Sequence, residues 1–187
     1  MIPSQIAVLS LFLVGGVAVL ASYGYLIYKN RLTKQDLWFG ISKPVQYVYY
    51  AVMICAAIGF CAFTSWYCFA DSTPTRGLLS NSWVAPILYA VILGGSALWS
   101  FAVSQPSPTS TSQTVVVSSS LVAVAISTIL LFAGAIEAET KTWYAALGLL
   151  LFATCTVLGD GIGWNANYLL HVRSSRSQES TSMLQVM

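Results

Sequence analysis

One carboxylate sits within the long apolar stretches of this chain: Asp160, in the run Leu158-Gly-Asp-Gly-Ile-Gly-Trp-Asn-Ala-Asn-Tyr168. An ionisable group is costly to hold in hydrocarbon, so Asp160 is a candidate for function. If a helix continues through the run, Asp160, Trp164, Asn167 and His171 recur at steps of four, three and four. That spacing places them on one face, with Tyr168 beside them and Thr156 one turn earlier. Asn165 adds an amide at the same end. A group of carboxylate, amide and imidazole can bind a polar ligand or pass protons. The competing reading is structural. Glycines at 159, 161 and 163 weaken a helix locally, and Asp160 would then cap a short final helical segment at the membrane surface.

Other chemistries find less support. The chain has a single histidine, His171, and none of Cys55, Cys61, Cys68 and Cys155 forms a C-x-x-C pair. A metal site would need closer ligand spacing, so no metal is expected, and no cofactor. The cysteines read as small buried hydrophobes. No Ser or Cys stands in a nucleophile-elbow or Cys–His setting. The Gly-Asp-Gly-x-Gly run follows an apolar helix, whereas a phosphate loop joins a strand to a helix. These readings describe a non-enzyme. Basic residues are too scattered to neutralise several phosphates, which excludes nucleic acid as a partner.

The elements that must position Asp160 follow from composition. Of the 187 residues 57% are hydrophobic and only 7% charged, against about 25% charged in soluble domains. The apolar residues gather into five runs of about 20 residues, at about 6–28, 45–69, 83–103, 115–136 and 143–165. Each is long enough to cross a hydrocarbon core of about 30 Å as a helix. The expected fold is all-α, a transmembrane bundle over 1–172, with a flexible polar tail over 173–187. The first run reads as a retained span, since no basic residue precedes it.

The six tryptophans fall near helix ends or, for Trp38, in a flanking loop, as interfacial belts would place them. If Trp143 and Trp164 both mark interfaces, the 21 residue steps from one to the other rise about 32 Å, and Asp160 lies about 6 Å inside the nearer surface. Orientation follows from Lys and Arg. Lys29, Arg31, Lys34, Lys43, Arg173 and Arg176 fall on one side, and only Arg76 and Lys141 on the other. The first set is expected in the cytoplasm, with the N-terminus outside and the C-terminus inside. The segment Arg31–Lys43 is expected to lie in the inner headgroup layer or to be a plain basic loop.

Small residues at Gly15, Gly16, Gly59, Gly94, Gly95 and Ala97, and the Ser119–Ala123 pair, offer places for helices to pack closely. The hydroxyls of Ser118, Ser120, Ser127 and Thr128 would either line a polar path or bond to helix carbonyls.

The run Trp38-Phe-Gly-Ile-Ser-Lys-Pro44 resembles the aromatic-then-Lys-Pro lead-in to the second helix of the translocator/tryptophan-rich sensory proteins, which have five spans and bind tetrapyrroles and sterols. That family's proline-rich turn does not follow here. Its Leu-Asn-x-x-Trp pattern is replaced by Gly95-Ser-Ala-Leu-Trp99. Membership is therefore not assigned. Two functional expectations remain. One is a structural or accessory component of a membrane assembly, with membrane lipids and other subunits or a second copy as partners. The other is a carrier or binding protein for a small solute, lipid or proton, using the polar residues at the inner end of the fifth helix.

Overall fold

The structure, a computed structural model, describes residues 2–28, 38, 41–69, 77–104, 110–137 and 143–186. Its helices are α1 (Pro3–Tyr28), α2 (Lys43–Phe69), α3 (Val84–Val103), α4 (Thr111–Glu137), α5 (Trp143–Thr154) and α6 (Asn165–Val186). A π-helical segment, Cys155–Trp164, joins α5 to α6 without a break. Most of the Arg31–Lys43 segment lies outside the described residues, as do Lys29, Asp71, Arg76, Glu139 and Lys141.

Five helices are long and apolar enough to cross a membrane: α1 to α4, and the continuous run Trp143–Ser175. Their limits follow the apolar runs closely, because backbone groups in lipid must be bonded within the helix. Prolines sit in first turns, at Pro3, Pro44 and Pro86, where a missing N–H leaves no bond unmade. The outer faces are apolar, as on α1, where Val14 and Leu20 are 74% and 72% exposed. The chain is thus an all-α, multi-pass membrane bundle.

The spans close into a ring. α1 packs on α3, α3 on α4, α4 on α5, α5 on α2, and α2 returns to α1 along the loosest seam. The tightest seam is between α2 and α5, where Gly59 and Gly148 meet backbone to backbone. Small-residue contact of this kind gains dispersion energy that lipid tails cannot match. Gly15 admits Leu93, and Gly95 admits Val124, whereas Gly16 and Gly94 face no neighbour. On α4 Ser119 is exposed and Ala123 half-buried, whereas Ser127, further along that face, is buried, as are Val117, Ser120 and Val124.

Two clusters fill the ring. One, toward the N-terminus of α1, centres on Phe60, which stacks on Phe152 at 4.5 Å and on Tyr89 at 5.0 Å. There the Thr64 and Tyr89 hydroxyls bond at 2.8 Å across α2 and α3. Gln5 Nε2 donates to the Tyr67 carbonyl at 3.1 Å, tying α1 to α2. Beyond α2 the chain turns at Gly77, whose φ of 73° favours glycine. The Leu78 N–H then donates to the Glu137 carboxylate at 2.9 Å, and Leu79 lies against Gly134. The second cluster, at the opposite end, is aromatic and surrounds the site.

Most hydroxyls bond within their own helix, as Ser120 to the Val116 carbonyl and Thr128 to that of Val124. Two of the cysteines, Cys55 and Cys61, are exposed on α2 rather than buried. α6 remains helical to Val186, through the stretch expected to be a tail. Val172 is its last described buried side chain.

Candidate functional site

At the end of the bundle that carries the α1–α2 connection and α6, side chains from five segments enclose a cavity of about 210 Å³. α1 contributes Tyr23 and Ile27, and the connection contributes Trp38. α2 supplies Tyr49, Tyr50 and Met53, and α3 supplies Trp99. The π segment supplies Asp160 and Trp164. The walls are aromatic because each helix carries its rings at this level, and the ring closure turns them inward.

The rings brace one another. Trp38 meets Tyr49 edge-on at 5.3 Å and Tyr50 at 5.2 Å. Across the cavity, Trp99 contacts Tyr23 at 6.1 Å and Trp164 at 5.1 Å. Trp164 in turn stacks on Tyr168 at 5.3 Å. Edge-to-face and offset contacts of this kind contribute about 0.5–1.5 kcal/mol each beyond burial. The indole nitrogens of Trp38 and Trp99 are buried with no hydrogen-bond partner among the described residues. Ring carbon rather than N–H therefore faces the open volume. Ile27, 55% exposed, stands at the rim.

The π segment sets the position of Asp160. Its i→i+5 pattern is visible where the Asn165 N–H reaches the Asp160 carbonyl. Glycines 159, 161 and 163 remove the side chains that would crowd such a widened turn. π turns are rare and recur at functional sites. The helix runs through Asp160 rather than starting there. The carboxylate accepts a hydrogen bond from the Tyr49 hydroxyl on α2, not from an N–H of a helix start.

The sequence-derived residues part ways here. Asp160 and Trp164 line the cavity together. Asn165 turns toward α4, where its Oδ1 accepts from the Ser118 hydroxyl at 2.9 Å. Asn167 donates to the Gly163 carbonyl at 2.9 Å within its own helix. His171 is exposed on α6 and does not line the cavity. Asn167 and His171 keep α-helical steps from Trp164, but α6 carries them about 4.5 and 10.5 Å further along its axis at 1.5 Å per residue, past the end of the cavity lining.

Seven cavity residues were not singled out as site residues from sequence: Tyr23, Ile27, Trp38, Tyr49, Tyr50, Met53 and Trp99. The available signal was their level. Tyr23 and Trp99 lie late in α1 and α3, and Tyr49 and Tyr50 early in α2, so alternation of spans places them at one end. The expected belts are thus half present. Trp83 and Trp143 are 65% and 75% exposed, but Trp38, Trp99 and Trp164 are 4%, 8% and 4% exposed. Trp164 is therefore no ruler for the membrane surface, and the depth estimate for Asp160 loses its basis.

Among the described residues no group of three His, Cys, Asp or Glu side chains could hold a metal ion. No protein-family model, curated protein or solved structure matches the chain.

Proposed function

We propose that this multi-pass membrane protein is a non-enzymatic binding protein for a small ligand, seated at the Asp160 cavity. One observation carries the reading: a carboxylate and rings from five segments converge on an open volume in the bundle. A purely structural subunit gives no reason to hold a carboxylate there, since burying it costs several kcal/mol unless it is compensated. The volume is below the roughly 300–1,000 Å³ of pockets for drug-sized ligands, which favours a ligand or headgroup of a few heavy atoms.

We place the cavity toward the cytoplasm, because Lys29, Arg31, Lys34, Lys43, Arg173 and Arg176 share its end of the chain's alternation. Labelling of single cysteines introduced near residues 34 and 141 from either side of sealed vesicles checks this. Reaction of both from one side overturns it.

Binding is tested on the full chain in mild detergent through tryptophan fluorescence, since three of the six tryptophans line the cavity. The probes are choline, acetate, glycine and glucose: a cation, an anion, a zwitterion and a neutral solute. At least one should give a saturable change that Met53→Trp, which fills the cavity, abolishes while helix content is kept. If none does so, the reading fails.

A further inference from the structure

We propose that the cavity selects an alkylammonium group, carried either by a free small amine or by a choline or ethanolamine lipid headgroup; this deepens the binding reading above and rests on it. The rings of Tyr23, Trp38, Tyr49, Trp99 and Trp164 stand around the same volume as the Asp160 carboxylate. Aromatic faces carry negative partial charge and attract cations, best where water is excluded. The buried indole nitrogens of Trp38 and Trp99 keep their N–H groups, which would repel a cation, away from the open volume. A cation resting against any one of these walls falls within the roughly 6 Å over which ring faces act.

Charge decides the sign of the ligand. No Lys, Arg or His lines the cavity among the described residues, so an anion would meet a carboxylate and negative ring faces with no compensation. A neutral ligand would leave Asp160 with the Tyr49 hydroxyl as its described partner. A cation supplies a counter-charge that no described residue lining the cavity provides. Methyl groups on that cation suit the walls, which offer little hydrogen bonding to an ammonium N–H.

The test compares choline with 3,3-dimethyl-1-butanol, its neutral isostere of nearly the same shape. Both are titrated against the wild-type full chain in nanodiscs of phosphatidylglycerol, with fluorescence as readout and sodium chloride matched. Choline should bind at least about tenfold more tightly than the isostere. Asp160→Asn and Tyr23→Leu should each weaken choline severalfold, and Tyr23→Phe, which keeps the ring, should not. The wild-type comparison needs no variant, so a misfolded substitution leaves the proposal exposed to refutation. Repeating the titration in phosphatidylcholine nanodiscs separates the sources. Weakened choline binding there identifies the lipid headgroup as occupant, and unchanged binding identifies a free amine. Equal affinity for the isostere, or binding of acetate, glycine or glucose in place of choline, overturns the ammonium assignment and leaves a binding cavity. Silence from every probe overturns both.

Discussion

A single methyl group at Gly59 should be enough to force α2 away from α5. An alanine Cβ there would lie 2.2 Å from the Gly148 carbonyl oxygen, 2.8 Å from its carbonyl carbon and 2.9 Å from its Cα. All three atoms are backbone, so no side chain can rotate aside. Restoring an ordinary 3.4 Å contact from 2.2 Å requires the helices to part by about 1.2 Å. Phe60, the next residue, stacks on Phe152 of α5 at 4.5 Å, so the same movement loosens that contact. A gap of 0.5–1 Å already forfeits a quarter to a half of the dispersion well, and overpacking typically costs 1–3 kcal/mol. We expect Gly59→Ala to destabilise by about 2–3 kcal/mol. Gly16→Ala, where a Cβ meets nothing within 4 Å, should be neutral or stabilising by up to about 1 kcal/mol through helix propensity. The assay is reversible unfolding in mixed micelles with increasing dodecyl sulfate, followed by circular dichroism. Equal stability of Gly59→Ala and wild type, within about 0.5 kcal/mol, would refute the backbone contact and with it the tightest seam of the ring.

Three further outcomes follow from individual bonds. Tyr49→Phe removes the hydroxyl that reaches Asp160 across α2 and the π segment; the loss should be about 1–3 kcal/mol in the same unfolding assay, and no loss would mean that Asp160 is held by other means. Thr64→Val and Tyr89→Phe each break the buried hydroxyl pair. Each should cost about 1 kcal/mol, and the double variant less than the sum, a coupling that a double-mutant cycle measures directly. Glu137→Leu removes the carboxylate that accepts the Leu78 N–H, and hydrogen exchange at Leu78 should accelerate at least severalfold while exchange in the middle of α4 is unchanged.

What could be read without coordinates was the set of spans. Charge depletion and five runs of sufficient length dictate helices, because the backbone in lipid satisfies itself only within each segment. The single intramembrane carboxylate was legible for the same reason: in hydrocarbon a charge stands out by its cost. Its companions were not. Asp160, Trp164, Asn167 and His171 were grouped by α-helical steps, with Asn165 added at the same end, but the cavity lining stops at Trp164 and the turns leading to it, over Cys155–Trp164, are wound as a π-helix. Asn165 then turns to Ser118, and Asn167 to its own helix. Hydropathy is blind to this, since a span is equally apolar however its turns are wound.

The tryptophans show the same division. Their positions near helix ends are a property of the chain, but whether a ring faces lipid or its neighbours depends on which helices adjoin. Trp83 and Trp143 face outward, whereas Trp99 and Trp164 meet each other at 5.1 Å. By itself the sequence determined the medium, the helices and the one costly charge, all of which follow from the transfer energy of local segments. Only the tertiary structure decided the ring order, the Gly59–Gly148 seam and the aromatic walls around Asp160. Those depend on rotation of each helix about its own axis, and in a solvent as apolar as the helices themselves that rotation is fixed by shape and by a few polar contacts, not by hydrophobicity.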